Sequence, residues 1–278
     1  MPEVDLATLA DAGAFVSHEH QAHLADAIGL ADWRIDAAAS AFVFTDAEGR
    51  ERAVRAHFIG TSSPEDGTWL WGWRNINGFP PAFVKQSERV RALGERYGIA
   101  EFTTDTLPLD DALPPRLMDA VKAVTGVTSH FAAPTGNGST HAWLLLDDPS
   151  LALPPPTAAR AVAVVTSALA GGGTGDHRRA LTAWTEQRGV RMTRVEDEVE
   201  ELTLSDGSLQ VRFDAAGRIA GLGRRLRAAT RPEPSPEPGP SPEPPAAPAQ
   251  AAQESVELDA PEADAAPRRS FLERLLGR

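Results

Sequence analysis

The feature that most restricts the fold is a run of tryptophans within residues 67–75. Successive side chains of an extended strand point to opposite faces, so Trp69, Trp71 and Trp73 would all leave the same face. The opposite face would carry residues that are smaller or polar apart from Leu70, namely Thr68, Leu70, Gly72 and Arg74. A helix would instead spread the three indoles around its circumference. The run therefore predicts a strand with one aromatic face, which is either buried in a core or open as a platform for a ligand.

Hydrophobic periodicity and turn residues predict an α+β fold in which antiparallel β-meanders are covered by helices. Gly13 could divide the first helix into two. The connections between strands are short, which requires antiparallel pairing. Helices are expected at residues 6–28, 84–97, 113–125, 156–170 and 176–188. Strands are expected at residues 33–36, 41–45, 52–59, the tryptophan run, 127–133, 139–146, 190–195, 199–204, 208–213 and 218–222.

The chain divides into four segments by composition and pattern. We expect an α+β domain with the tryptophan run at 1–150, and a helix-helix-meander region at 151–226 that packs on it or forms a second half. Residues 227–267 are rich in Pro, Ala and acidic side chains, which predicts a disordered linker. A short amphipathic helix is expected at 268–278.

The two meanders suggest an internal duplication of a helix-plus-meander unit. At one constant offset, Phe42 matches Leu202 and Phe44 matches Leu204. Both copies follow a helix and a glycine, although the tryptophan strand has no evident counterpart in the second copy.

The first half of the chain resembles an uncharacterised bacterial domain-of-unknown-function family with a T-W-L-W-x-W-x-N signature. The matching residues are 68–75, and similar features are Gln21, Trp33, Asp36 and Gly60. The resemblance implies a shared fold, and it brings no catalytic residue and no ligand with it.

Composition narrows the possible partners. The 278 residues include no cysteine, which excludes disulfides, thiolate metal sites and cysteine nucleophiles. The net charge of −12 argues against nucleic acid or an anionic membrane as the main partner of the folded part. Residues 1–13 contain no Lys or Arg and do not read as a signal peptide, and the apolar run 161–170 is too short to span a bilayer. We therefore expect a cytoplasmic protein without a cofactor.

The tryptophan stripe is interpreted first as the buried face of a sheet under helices, because large aromatic side chains on one face are usually core. The alternative is a binding pocket beside the stripe. Its residues would be Trp71, Trp73, Asn75 and Asp36. Asn75 is equally suited to forming a turn.

Three histidines lie within residues 17–23, but not at the spacing of a zinc site. A zincin helix needs two histidines four residues apart with a glutamate between them. His20 and His23 share a helical face, as do Glu19 and His23, whereas His18 and His20 point apart. We expect a solvated helical face here and no metal.

Two further runs have simple structural interpretations. The glycine loop 171–175 precedes a helix, but it lacks the Lys-Ser/Thr of a P-loop and is followed by Asp176, which is expected to cap that helix. The acidic run 196–201 lacks the rhythm of a calcium loop and is expected at the polar edge of a strand turn.

The C-terminal segment suggests a docking function. Its apolar face is formed by Phe271, Leu272, Leu275 and Leu276, with Arg274 off that face. A helix this short forms only on docking, either in cis on its own domain or in trans on a protein partner, and membrane binding would be marginal. We therefore expect a non-catalytic cytoplasmic interaction or adaptor protein. The alternative is an enzyme or small-ligand-binding protein with a pocket beside the tryptophan strand.

Overall fold

The computed structural model of the chain describes residues 4–28, 32–136 and 138–226. The predicted linker at 227–267 and docking helix at 268–278 lie outside the described residues. Helices and antiparallel sheets together confirm the α+β class. The helices are α1 (Leu6–Ile28), α2 (Pro81–Tyr97), α3 (Ala100–Thr103), α4 (Leu113–Thr125), α5 (Ala158–Ala170) and α6 (His177–Arg188). The strands are β1 (Asp32–Asp36), β2 (Ala41–Thr45), β3 (Glu51–Ser63), β4 (Thr68–Trp71), β5 (Thr106–Pro108), β6 (Ser129–Thr135), β7 (Thr140–Asp147), β8 (Arg191–Glu196), β9 (Val199–Leu204), β10 (Gly207–Phe213) and β11 (Ile219–Leu226).

The first sheet is organised by the long strand β3. Its first part pairs with β2 and its last part with β4, while β7 runs along the opposite edge. β1 and β5 extend the meander at its two ends, and β6 pairs with β7 as a hairpin. The predicted meander and hairpin are confirmed. β5 was not predicted, because a strand of three residues that includes a proline shows no alternating pattern.

The tryptophan strand is shorter than predicted. β4 ends at Trp71, and Trp73 leaves from a 3-10 turn, Gly72–Arg74, so the expectation of three indoles on one strand was wrong. Gly72 lies so close to β3 that an added Cβ would be 2.8 Å from the carbonyl oxygen of Phe58. The turn nevertheless directs Trp73 into the same hydrophobic cluster as Trp71.

Helix α1 is continuous and contacts three hydrophobic clusters in succession. Leu9, Phe15 and Leu24 each belong to a different cluster. Gly13 does not break the helix; instead it allows α4 to approach, since a Cβ there would lie 2.0 Å from the carbonyl oxygen of Asp119. The helix therefore connects parts of the fold that are distant in sequence.

Strands β8 to β11 form a separate four-stranded meander, as predicted. Its core is shared with α1, because Phe15 lies in one cluster with Trp184 of α6 and Leu209 of β10. The internal duplication stays a prediction. The matched residues Phe42 and Leu202 are both buried, but within the described residues the first sheet has seven strands and the second has four.

Candidate functional site

The tryptophan side chains belong to the core. Trp69, Trp71 and Trp73 are 0%, 1% and 9% exposed. Trp69 and Trp71 meet edge to face with ring centroids 5.5 Å apart, and Trp71 Nε1 donates a hydrogen bond of 2.9 Å to the carbonyl oxygen of Glu101. The Arg91 guanidinium lies 4.7 Å from the centre of the Trp73 ring. The buried interpretation of the stripe is confirmed, and the indoles stabilise the fold from inside.

Asn75 closes a turn behind this strand. Its Oδ1 accepts the Phe79 backbone N–H at 2.8 Å and its Nδ2 donates to the Phe79 carbonyl oxygen at 2.9 Å. Its φ of 44° is left-handed, which asparagine tolerates better than most residues. Trp71 and Asn75 line a cavity of about 40 Å³. That volume holds water but lies far below the roughly 300 Å³ at which small-molecule sites begin.

The other two residues of the predicted pocket do not line this cavity. Asp36 Oδ1 accepts the Ala39 backbone N–H at 2.9 Å, and its Oδ2 lies 3.9 Å from Arg34 Nη1. Trp73 packs under Arg91 instead. The structure therefore brings Trp71 and Asn75 to one cavity and uses Asp36 to close a different turn.

The polar segment of α1 faces inward, so the predicted solvated face was wrong. Glu19 is 1% exposed. Trp184 Nε1 donates a 2.8 Å hydrogen bond to Glu19 Oε2, and Arg188 Nε lies 3.0 Å from the same oxygen. Arg188 Nε has no hydrogen-bond partner in the described part, so this second contact is an ion pair without an aligned N–H. Burial follows because α6 packs on this face of α1 and supplies the partners that the carboxylate needs.

His20 contacts the residues at the start of β6, the strand that follows α4. Its Nε2 lies 2.7 Å from Thr128 Oγ1 and its Nδ1 lies 3.3 Å from Ser129 Oγ. Burial, with a smaller contribution from the positive charge of Lys122, lowers the pKa of His20 to about 3. The imidazole is therefore neutral near neutral pH and acts as a hydrogen-bonding core residue.

A buried lysine behind this segment was missed by the sequence reasoning. Lys122 is 0% exposed, and its Nζ donates to Ser17 Oγ at 2.5 Å. Burial lowers the pKa of Lys122 to about 8, against the opposing effect of the Asp119 carboxylate. Burial also raises the pKa of Asp119 to about 6. The available signal was a lysine between Val121 and Ala123 in an apolar helical stretch.

His130 of β6 is tied to α1 through its backbone, because Gln21 bonds both its N–H and its carbonyl oxygen. Its ring stacks on Trp143 with centroids 5.7 Å apart, and its Nδ1 has no hydrogen-bond partner among the described residues. Burial, together with the charge of Lys122, holds the pKa of His130 well below its ordinary value.

Proton transfer to a substrate requires hydrogen-bond reach. Ser17 and Lys122 are 3% and 0% exposed and bind each other, so their geometry favours a structural role.

The glycine loop before α6 does bind an anion, which is a carboxylate of the protein itself. Asp11 Oδ1 accepts the Gly175 N–H at 2.7 Å, and Asp11 Oδ2 accepts the Asp176 N–H at 3.1 Å. Asp176 Oδ1 accepts the Arg179 N–H at 2.9 Å, so the predicted cap is confirmed. The loop therefore ties α6 to α1 and has its anion already in place.

The acidic run forms the turn between β8 and β9, as predicted, with Glu198 at a left-handed φ of 62°. Glu200 was not expected to be buried, and it is 9% exposed. Its Oε1 lies 3.8 Å from Arg178 Nη1 and 3.3 Å from Arg194 Nε. These ion pairs compensate the burial of its charge.

Two findings concern the remaining predictions. Within residues 4–28, 32–136 and 138–226, no group of three or more His, Cys, Asp or Glu side chains is arranged to hold a metal ion. Among the helices of the described part, none combines the length and apolar character that a membrane span requires. The predicted docking residues Phe271, Leu272, Arg274, Leu275 and Leu276 lie outside the described residues.

Comparison with known proteins gives one match. A family model described as "Family of unknown function (DUF6882)" matches residues 7–149, which span α1 to the end of the β6–β7 hairpin. No curated protein and no solved structure matches the chain.

Proposed function

Because the chain belongs to the family of unknown function DUF6882, whose description names no activity, we propose a function from its own residues. The proposal is a non-catalytic interaction or adaptor protein. The folded unit serves as a rigid carrier, and residues 268–278 dock on a protein partner. The absence of cysteine supports a reducing compartment, and the cytoplasm of a bacterium is the proposed location.

The observation that carries the proposal is the use of reactive groups to hold the fold. Glu19 is held by Trp184 and Arg188, and Lys122 is held by Ser17. A catalytic base or nucleophile must come within hydrogen-bond reach of a substrate. These side chains are already engaged in contacts between helices, which supports a binding role of the protein over a catalytic one.

The composition of the tail supports the same proposal. Residues 232–267 contain prolines and acidic side chains without Lys or Arg, a composition typical of tethers between a folded unit and a binding segment. Residues 268–278 then place four large apolar side chains at helical spacing. A short helix of this kind suits an apolar groove on a partner, in the helix-in-groove mode of recognition.

The proposal is tested by replacing two apolar residues of the tail. In the full chain, Leu272→Asp with Leu275→Asp should reduce recovery of the specific partner at least tenfold, because both anchors of a helix in a groove would carry a charge. Recovery is measured by affinity purification of the tagged chain with quantitative mass spectrometry. The purified partner is then titrated directly against the chain.

The matched control is Ala265→Asp with Ala266→Asp, which adds the same two charges to the preceding linker. It should leave recovery and the direct titration unchanged. If the two double variants recover the same set of proteins in the same amounts, the proposed docking role is wrong.

A further inference from the structure

A cavity of about 520 Å³ lies between the β2–β3 edge and the start of α2, away from the tryptophan strand. Its volume falls within the range of roughly 300–1,000 Å³ that is typical of small-molecule sites. Most of its walls are alanine and proline. The polar side chains that line it are Ser40, Arg55, His57 and Lys85.

The cavity exists because a tight turn joins β1 to β2 with very small side chains. Ser40 adopts a left-handed φ of 53°, and its carbonyl oxygen accepts the Ala56 N–H at 2.8 Å. Asp36 fixes the other end of the turn through the Ala39 N–H. Ala38 and Ala39 line the cavity and leave its space unfilled.

Two cations face this space without an ion pair in the described part of the chain. Neither Arg55 nor Lys85 has a carboxylate oxygen within 4.0 Å there, and no Asp or Glu lines the cavity. Two acids approach from outside the cavity. Asp147 lies opposite Arg55 in the β3–β7 ladder, and its Oδ2 is 3.8 Å from His57 Nε2. The pKa of Asp148 is lowered by its hydrogen bonds to Ser150 and, to a smaller extent, by the charges of Arg52 and Arg55. Arg55 and Lys85 are thus available to an anion.

The start of α2 adds the positive end of a helix dipole. Pro80 is the N-cap and makes no side-chain hydrogen bond to the helix, and Pro81 at the first position has no N–H. Pro80 and Ala82 both line the cavity. The positive end of this helix of 17 residues therefore lies at the wall, next to the two cations.

His57 is a buried part of the cavity lining, and its pKa depends on the charges of Arg55 and Lys85. It is 5% exposed, and its Nδ1 lies 3.1 Å from the Ala82 carbonyl oxygen, so Nδ1 carries the proton and donates. Burial lowers the pKa of His57. The positive charges of Arg55 and Lys85 lower this pKa further, whereas the negative charge of Asp147 raises it. An anion held by both cations would offset their effect on the pKa of His57.

We propose that this cavity binds the phosphate group of a small phosphorylated metabolite, held by Arg55, Lys85 and the start of α2. The Arg55 fork and the Lys85 ammonium approach from different elements, which suits the several oxygens of a tetrahedral phosphate better than a planar carboxylate. The positive end of the α2 dipole favours an anion at the same place. The alanine and proline walls contact the uncharged body of the metabolite. This site is independent of tail docking, so either proposal can fail without the other.

The probe is phenyl phosphate, titrated into the full chain by calorimetry and by NMR of the His57 ring. It should bind with saturation and raise the pKa of His57, whereas phenol should not bind. Arg55→Gln and Lys85→Gln should each weaken binding about tenfold or more, because each removes charge-assisted hydrogen bonds. Arg91→Gln is the matched control on α2, and it should bind like the wild type, since Arg91 pairs with Glu95 outside the cavity.

Several results would overturn the assignment. These are the absence of saturation at millimolar phenyl phosphate, equal binding of phenol, or equal affinity in the three variants. Benzoate tests the phosphate class: weaker binding than phenyl phosphate supports it, and equal binding contradicts it. All three substituted residues are at the surface, and thermal melts of the variants verify that the fold is intact.

Discussion

At the scale of single residues, Glu19 shows how one buried charge is accommodated. Its carboxylate is 1% exposed and is shared between Trp184 Nε1 and Arg188 Nε. Trp184 and Arg188 are separated from Glu19 by 165 positions or more in the sequence, so no local sequence pattern predicts these contacts. The ion pair links α1 to α6. Removing either partner would leave the other charge buried without compensation, which strongly destabilises a fold.

Replacing Glu19 by alanine should be severely destabilising. The change leaves the Arg188 charge and the Trp184 N–H without their acceptor, and losing one partner of a buried pair costs roughly 3–5 kcal/mol. The free energy of unfolding, measured by urea denaturation at pH 7, should fall by that order.

The control for this experiment is Glu95→Ala. It removes the surface pair of Arg91 and Glu95, whose side chains are 50% and 57% exposed. Exposed pairs of this spacing contribute about 0.5 kcal/mol or less. Equal losses in the two variants would mean that Glu19 does not stabilise the α1–α6 contact.

At the scale of elements, the crossing of α1 and α4 depends on a missing side chain. A Cβ on Gly13 would lie 2.0 Å from the carbonyl oxygen of Asp119, which is closer than any real contact. The polar network of Ser17, Lys122 and Asp119 spans the same pair of helices. The glycine that weakens the helix in isolation is therefore what allows these helices to pack.

Gly13→Ala should destabilise the protein even though alanine is the better helix former. Intrinsic propensity alone would add roughly 1 kcal/mol of stability. Overpacking against the α4 backbone should reverse the sign and cost about 1–3 kcal/mol or more. Thermal and urea unfolding of the variant measure the net change.

Ala22→Gly on the exposed side of the same helix calibrates the propensity effect, and it should cost about 1 kcal/mol. A gain of stability in Gly13→Ala would contradict the close approach of α1 and α4.

At the scale of the whole molecule, wholly or partly buried histidines should make stability depend on pH. Burial is the largest cause of a lowered pKa in four of them, namely His18, His20, His57 and His130. Two carboxyl groups oppose this trend, because burial raises the pKa of Asp11 and of Asp119. The histidines outnumber the carboxyl groups, so they should dominate the response to mild acid.

The sign follows from proton linkage. The unfolded chain protonates His20 near its ordinary pKa of 6.5, whereas the folded chain does so only near 3. The stability that the neutral ring contributes is therefore present above pH 6.5 and is lost as the pH falls toward 3. Asp119 acts in reverse: its contribution is present below pH 3.8 and is lost as the pH rises through about 6.

We therefore expect the free energy of unfolding to decrease between pH 7 and pH 5. Each depressed histidine contributes up to about 1.4 kcal/mol per pH unit within its window. His20→Gln should reduce the slope of stability against pH by close to one proton, as measured by urea denaturation at several pH values. A slope that is unchanged in this variant would show that His20 is not held neutral by the fold.

The sequence alone determined local structure, such as the ends of helices, and one property of the whole fold, which is the burial of the tryptophans. Helices α2 and α4 end at Gly98 and Gly126, both in the left-handed region, as their positions predicted. The burial of Trp69 and Trp71 followed from alternation along one strand. These inferences succeed because capping, turns and side-chain periodicity depend on residues a few positions apart.

Only the tertiary structure decided the surroundings of each polar group. In the fold, Glu19 and Lys122 are buried, and Asp36 closes a turn that does not line the cavity at Trp71. Arg55 and Lys85 both line a separate cavity. Burial and charge at these positions depend on α6, α4 and β3, whose contacts cross long stretches of chain. A sequence pattern records which face of an element is apolar, but the identity of the element that covers that face is set by packing of the whole fold.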